Sequence, residues 1–148
     1  MLILSNMFSH EESKKIRQEF WTSFGKEFPH KWLLYNTKIK EIQLKFSFTR
    51  KFAMVSLDIV DQDEFIRSYY FEKLESLKTV LNESYLPNIQ YEKEYELPEG
   101  KMISRIFVEK EGVNIHRQKD WPEVKEFLAE NMLKMEEFFE DFEDFLKN

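Results

Sequence analysis

The chain has 148 residues, of which 42% are hydrophobic and 34% are charged, with only 3 glycines and a formal net charge of −6. Such a composition excludes a disordered chain and indicates one globular domain over residues 1–148. The absence of cysteine excludes disulfides, thiolate metal sites and cysteine nucleophiles, and it predicts a cytoplasmic location. The first residues have neither the basic start of a signal peptide nor the length of a membrane span, so no membrane contact is predicted.

The charge is distributed unevenly along the chain. Residues 1–51 carry ten Lys and Arg against five Asp and Glu, and residues 52–148 carry twelve against twenty-three, which gives +5 and −11. A basic half attracts a phosphate backbone, whereas an acidic half repels it. We therefore favour charge complementarity within the molecule or between subunits over a nucleic-acid surface, which stays open as the alternative.

The first predicted element is a helix. Its apolar residues recur every four positions from Ile16 to Phe28, which is the spacing of one helical face. Ser9 and Glu12 have the spacing of a capping box, in which the serine oxygen accepts the backbone N–H three residues later. The helix should therefore begin after Ser9 and end before Pro29.

Two alternating segments follow, residues 39–48 and 52–59, and the short residues 49–51 between them predict an antiparallel hairpin that is buried on one face. The strand triplet Gln43-Leu44-Lys45 loosely resembles the Glu-x-Lys motif of restriction-type nucleases. Such a motif needs an aspartate on the preceding strand, but the first aspartate of the chain is Asp58. We therefore expect no nuclease site at these strands.

A second helix and a second hairpin complete the middle of the chain. Asp61 and Glu64 repeat the capping-box spacing before a helical apolar stripe, and Pro87 ends it. Residues 89–97 and 102–110 then form two strands joined by a turn, with a strongly acidic outer face.

The stretch "NIHRQKDWPEV", residues 114–124, is predicted to be the start of the last helix rather than a catalytic site. Asp120 and Glu123 have the capping-box spacing for a third time, and Pro122 lies in the first turn. We interpret Asp120 as the N-cap and Trp121 as a packing residue. The apolar stripe that follows should pack in the domain's own core, with a dimer interface as the second interpretation.

The order of elements is therefore α-β-β-α-β-β-α, with a short fifth strand predicted at residues 113–115. This order predicts an α+β fold in which two hairpins form one antiparallel sheet of four to five strands, with helices mainly on one face.

His116 is the only candidate catalytic residue that the sequence offers. It would act as the general base of an unrecognised hydrolase, oriented by Asp120, although a solvent-facing histidine after a hairpin is the favoured interpretation. The three histidines, His10, His30 and His116, have no helical spacing to a further ligand of the kind zinc requires. No metal or other cofactor is predicted.

Aromatic residues near the end of the first helix lie among basic ones. Aromatic side chains in a basic groove bind single-stranded nucleic acids by stacking on the bases. Aromatic residues beside a helix end more often pack under a sheet, and we favour that interpretation for Trp21, Trp32 and Tyr35. The candidate nucleic-acid-binding residues are Lys26, His30, Lys31, Trp32 and Lys38.

Three segments carry a family resemblance. The segments "MFSHEESKKIRQEFWTSFGKEF", "KWLLYNTKIKEIQLKFSF" and "ISRIFVEKEGVNIHRQKDWPEV", together with the long aromatic last helix, resemble a bacterial family of domains of unknown function of the DUF4268 type. The resemblance rests mostly on packing and capping residues, and it carries over no catalytic residue. These residues are Phe20, Trp21, Phe24, Trp32, Ile103, Ile106, Asp120 and Trp121.

The resemblance implies that the domain occurs alone or fused behind PD-(D/E)XK-like nuclease domains. It therefore implies an accessory to DNA processing or restriction whose chemistry belongs to another domain. We expect a non-catalytic protein-interaction or dimerisation module that forms a homodimer or binds a protein partner. The alternatives are a nucleic-acid-binding domain that uses the basic N-terminal half and a hydrolase built around His116.

Overall fold

The computed structural model describes residues 9–148. Within them the elements follow the predicted α-β-β-α-β-β-α order of an α+β fold, except that the second helix is divided in two at Leu77. The elements are α1 (His10–Glu27), β1 (Ile42–Phe48), β2 (Phe52–Ile59), α2 (Glu64–Ser76), α3 (Lys78–Ser84), β3 (Gln90–Glu96), β4 (Met102–Glu111), a 3-10 turn (Gln118–Asp120) and α4 (Trp121–Lys147).

The strands within residues 9–148 form one antiparallel sheet of four strands in the order β1-β2-β4-β3. The two predicted hairpins are present, and they join through β2 and β4, where Leu57 lies opposite Ile106. The prediction of a fifth strand at residues 113–115 is wrong. Gly112 takes a positive φ of 76° and ends β4, so the chain turns away from the sheet there.

The core lies where the helices meet the alternating side chains of β2. Val55, Leu57 and Ile59 are fully buried, and they share one hydrophobic cluster with residues of all four helices. The apolar stripe of α4 lies in this cluster, so its burial in the domain's own core is confirmed. The buried residues of that stripe include Leu128, Met132, Met135, Phe138 and Phe139, each no more than 1% exposed.

The prediction that the first hairpin is buried on one face only is wrong for β2. The opposite side of this strand carries Met54 and Ser56, which are 0% exposed, and Asp58, which is 3% exposed. Both oxygens of Asp58 accept hydrogen bonds from the Arg105 guanidinium, at 2.7 and 2.9 Å. The ring of Tyr95 covers the guanidinium at 4.4 Å from the centroid to Cζ. A charged pair therefore replaces apolar contacts at this point of the sheet.

The first two predicted helix caps differ in outcome. The Ser9 oxygen accepts from the Glu12 backbone N–H at 3.0 Å, as the capping box predicts. The assignment of Asp61 as a cap is wrong, because the N-cap of α2 is Asp63, whose carboxylate accepts the N–H two residues later at 2.9 Å. Asp61 instead accepts from the Asp63 N–H at 2.8 Å. Glu64 is consequently the first residue of the helix and lies too early for a capping box.

The third predicted cap is confirmed in its position, because Asp120 is the N-cap of α4, but it lacks the predicted hydrogen bond. Asp120 precedes α4, but its side chain makes no capping bond in the described structure. It ends a 3-10 turn with helical φ and ψ of −82° and −18°, whereas a capping side chain needs an extended backbone. Glu123 is exposed and lies 3.6 Å from Lys110 across the helix–strand boundary.

Candidate anion-binding cleft

A polar cleft lies between the start of α1, the β1–β2 turn and the loop after β4. Its volume is about 430 Å³, which falls within the roughly 300–1,000 Å³ typical of ligand sites. The described residues that line it include two arginines and two histidines, and no acidic side chain. We call this the basic cleft, and its described lining consists of His10, Ser13, Arg17, Phe48, Thr49, Arg50, Ile115 and His116.

One face of α1 forms the first wall of the basic cleft. His10, Ser13 and Arg17 are spaced at i, i+3 and i+7, so their side chains lie on the same side of the helix. The Ser9 cap fixes the start of α1 and therefore the position of this face. Arg17 is exposed and Ser13 is partly buried.

The β1–β2 turn forms the second wall. The Thr49 N–H donates to the Phe52 carbonyl at 2.8 Å, and the Thr49 hydroxyl accepts from the N–H groups of Lys51 and Phe52, both at 3.1 Å. These bonds fix the turn in one conformation and leave the Arg50 side chain exposed.

The loop after β4 forms the third wall and presents His116. The indole N–H of Trp121 donates to the Ile115 carbonyl at 2.8 Å, and the Ile115 N–H donates to the Thr49 carbonyl at 3.0 Å. The Asn114 side chain accepts from the His116 N–H at 2.8 Å. Trp121 therefore packs at the start of α4, as predicted, and it also ties the loop that positions His116.

Asp120 stabilises the same loop from beneath. One carboxylate oxygen accepts from the Asn114 N–H at 2.9 Å and from the Arg117 guanidinium at 2.7 Å. Burial alone would raise the pKa of Asp120, but these two donors outweigh it and hold the pKa below its ordinary value. The stretch of residues 114–124 is thus mainly a scaffold whose charged residues order the loop.

His116 is the residue of this loop that contributes to the cleft. Partial burial, followed by the charges of Arg50 and Arg17, holds the pKa of His116 below its ordinary value of 6.5. Its imidazole is therefore mostly neutral at pH 7. The two arginines carry the permanent positive charge of the cleft, and His116 adds a charge once a bound anion favours its protonated form.

Ser13 lies beside His116 although 103 positions separate them in sequence. The Ser13 oxygen is 3.4 Å from Nε2 of His116, whereas a nucleophile and its base normally approach to about 2.6–3.2 Å. Asp120, the residue predicted to orient His116, is bonded instead to Asn114 and Arg117. Sequence reasoning missed Ser13, because no local pattern links it to the histidine.

The cleft continues along α1 into a groove and then a pocket. The groove is lined by Lys14, Arg17, Gln18, Trp21 and Thr22, so it shares Arg17 with the basic cleft. The pocket shares Trp21 with the groove and has a volume of about 210 Å³. We call it the aromatic pocket, and its lining consists of Trp21, Leu34, Tyr35, Leu44, Lys45 and Phe46.

The sequence matches one protein family. Residues 16–143, most of the chain, match the family described as Domain of unknown function (DUF4268). The chain belongs to this family. No curated protein and no solved structure matches the chain. The family resemblance is therefore confirmed, whereas bacterial origin and fusion to nuclease domains stay predictions.

The five residues predicted to bind nucleic acid do not come together at the basic cleft. Nε2 of His30 lies 2.9 Å from the carboxylate of Glu136, and the ring of Trp32 packs against Phe24 and Phe46. These contacts agree with the packing interpretation of Trp32, but that interpretation is wrong for Tyr35, which is 75% exposed. The remaining three, Lys26, Lys31 and Lys38, are exposed and line neither the basic cleft nor the aromatic pocket.

Glu136 is a buried acidic residue of α4. It is 5% exposed, and its carboxylate also accepts from the Leu33 N–H at 2.7 Å. This buried carboxylate therefore holds the segment between α1 and β1 against α4.

No group of three or more histidine, aspartate or glutamate side chains within residues 9–148 is arranged to hold a metal ion. Gln43 lies opposite Asp58 in the sheet, and Lys45 lies opposite Ser56. Because Arg105 occupies both oxygens of Asp58, this arrangement is an ion pair rather than a nuclease centre. None of the helices in this part of the chain is sufficiently long and apolar to span a membrane.

Proposed function

We propose that this domain is a non-catalytic binding module that holds phosphate groups of a nucleic acid in the basic cleft. The observation that carries the proposal is a cleft with Arg17 and Arg50 in its walls and no acidic side chain in its described lining. This lining contrasts with a chain in which 28 Asp and Glu outnumber 22 Lys and Arg. The described lining of the basic cleft therefore carries a local positive charge on a chain whose net charge is −6.

The chemistry of the lining suits a phosphate group. Arginine guanidinium groups form charge-assisted hydrogen bonds to phosphate oxygens with a matching planar geometry. The Ser13 and Thr49 hydroxyls line the same space, and hydroxyl groups also donate to phosphate. Protonation of His116 would add a further donor when an anion binds.

A polymer of phosphates fits better than a single small anion, because the basic surface extends beyond the cleft. Lys14 and Arg17 line the groove that follows, and Lys45 lines the aromatic pocket. Neither of these linings contains an acidic residue. Contacts of basic side chains along a phosphate backbone provide most of the non-specific affinity for nucleic acids.

Two features favour binding over catalysis. Asp120, the residue expected to orient His116, is bonded to Asn114 and Arg117 instead. The family resemblance also implied an accessory to DNA processing. Dimerisation stays a prediction, and the apolar stripe of α4 no longer supports it, because that stripe is used in the core.

The proposal is tested by fluorescence anisotropy with a labelled oligonucleotide of about 15 nucleotides at about 50 mM salt. We expect a dissociation constant on the order of 10⁻⁵ M that increases steeply with salt, as for non-specific binding. The double variant Arg17→Gln/Arg50→Gln should weaken binding at least about tenfold, because it removes both permanent charges of the cleft.

Each single variant of the cleft, Arg17→Gln or Arg50→Gln, removes one positive charge, and its matched control is Lys101→Gln, which also removes one. This exposed residue lies in the β3–β4 turn, at the opposite end of β4 from the cleft. The 10 residues of β4 separate the two ends by about 33 Å. Equal losses of affinity in a single cleft variant and in the control would show that binding depends on net charge alone. No binding of the oligonucleotide at low salt would refute the proposal.

A further inference from the structure

We propose that the aromatic pocket receives an unpaired nucleobase, so that the ligand of this surface is a single-stranded nucleic acid. This inference rests on the proposed function, because the basic cleft supplies the phosphate contacts and the aromatic pocket supplies the contact with a base. The following observations concern the shape of the pocket, its position and its charge.

The aromatic pocket offers a flat ring to solvent. Tyr35 is 75% exposed, whereas Trp21, which also lines the pocket, is partly buried, and its ring centroid lies 4.8 Å from that of Phe20. The rest of the lining is apolar apart from Lys45. A space of about 210 Å³ lined by an exposed and a packed aromatic residue is suited to a planar ring, because aromatic side chains stack on bases of any sequence.

The pocket lies along the path of a strand held in the basic cleft. Arg17 and Trp21 are four residues apart on α1, which is about one helical turn or 6 Å. From His10 in the cleft to Trp21 in the pocket, the basic and aromatic surface follows the helix for about 16 Å. A few nucleotides of a single strand are sufficient to span that length.

The charge around the pocket points to a nucleic acid rather than to an apolar protein segment. Lys45 lies in its lining, and Lys14 and Arg17 lie in the groove that leads to it, with no acidic residue in either described lining. A double helix hides the faces of its bases in the stack, so only an unpaired base can enter the pocket. Single-stranded DNA and RNA share this chemistry.

The test compares three labelled ligands of the same length by fluorescence anisotropy at low salt: oligo(dT), an abasic phosphodiester chain and a duplex. The abasic chain carries the same phosphates without bases. We expect oligo(dT) to bind at least about fivefold more tightly than the abasic chain. Tyr35→Ala should remove this difference, and Tyr35→Phe should retain it, because a phenyl ring still stacks. Tyr35 is largely exposed, so its substitution should not affect folding.

The outcomes separate this inference from the proposed function. Equal, salt-dependent binding of oligo(dT) and the abasic chain would overturn the base pocket while leaving the phosphate-binding cleft in place. A duplex that binds as tightly as oligo(dT) would do the same. If none of the three ligands binds, the proposed function itself fails. Light scattering supplies a last check, since a dimer that Tyr35→Ala converts to monomer would assign the pocket to a second copy of the chain.

Discussion

Replacing Asp58 with asparagine should destabilise the domain strongly, because it leaves the guanidinium of Arg105 buried without a counter-charge. Both side chains are 4% exposed, and two hydrogen bonds join them. Hydrogen bonds to charged groups contribute about 1.5–3 kcal/mol each, and removing one partner of a buried ion pair costs about 3–5 kcal/mol. We therefore expect Asp58→Asn to lower the free energy of unfolding by about 4 kcal/mol, a large part of a typical total of about 5–15 kcal/mol.

Urea denaturation, followed by circular dichroism, measures this loss as a lower midpoint at unchanged slope. The double variant Asp58→Leu/Arg105→Met should recover most of the stability, because replacing a buried pair with apolar residues is often neutral or stabilising. The matched control is Glu143→Gln, which breaks a partly exposed surface pair with Lys147 at 3.8 Å and should cost less than about 1 kcal/mol. A loss below about 1 kcal/mol for Asp58→Asn would refute the reasoning.

Three further predictions concern the scaffold and the cleft. Glu136→Gln should lower the free energy of unfolding by about 1–3 kcal/mol, because the carboxylate accepts from the Leu33 N–H and lies beside His30. The control is Glu137→Gln at the exposed neighbouring position. Equal urea midpoints for the two variants would show that the Glu136 carboxylate does not stabilise the fold. Trp121→Phe should lower the free energy of unfolding by about 1–2 kcal/mol in the same assay, since it removes the hydrogen-bond donor to the Ile115 carbonyl. An unchanged urea midpoint would mean that this hydrogen bond does not hold the loop. Because the pKa of His116 is lowered in the folded protein, the unfolded chain binds a proton at this histidine more readily. The free energy of unfolding is therefore higher above about pH 6.5, where the histidine is neutral in both states, and it decreases as the pH falls below that value. A bound anion favours the protonated form, so oligonucleotide affinity should rise as the pH falls, by at most about tenfold per pH unit for one proton. His116→Gln should flatten this dependence more than His10→Gln does, and parallel pH profiles for the two variants would exclude His116 from the binding surface.

The order of the elements could be predicted from the sequence because it depends on local patterns. The four-residue spacing from Ile16 to Phe28 and the alternation in residues 52–59 each reflect one face turned toward a core. The Ser9 cap was likewise recognisable, since its hydrogen bond spans only three residues. The prediction for Asp61 failed because Asp63 has the same chemistry two positions later, and only the backbone conformation distinguishes them.

The burial of two acidic residues, one in β2 and one in α4, could not be predicted from the sequence. Alternation predicts which side of a strand a residue faces, but it does not reveal whether that side is covered. Asp58 lies on the side of β2 opposite its apolar residues, and Glu136 is followed by another acidic residue in α4, yet the structure buries both. Their partners, Arg105 and the Leu33 N–H, lie 47 and 103 positions away, and no local pattern could identify them.

The composition of the candidate site was decided by the tertiary structure in the same way. The sequence by itself determined that residues 1–51 are basic and that His116 follows a hairpin. The fold then brought Ser13 of α1 and Arg50 of the β1–β2 turn to His116, which lies beyond β4. Local periodicity shows which face of its own helix or strand each side chain occupies. Which segments meet depends on how the two hairpins pair and on where the helices pack, and these are properties of the whole chain.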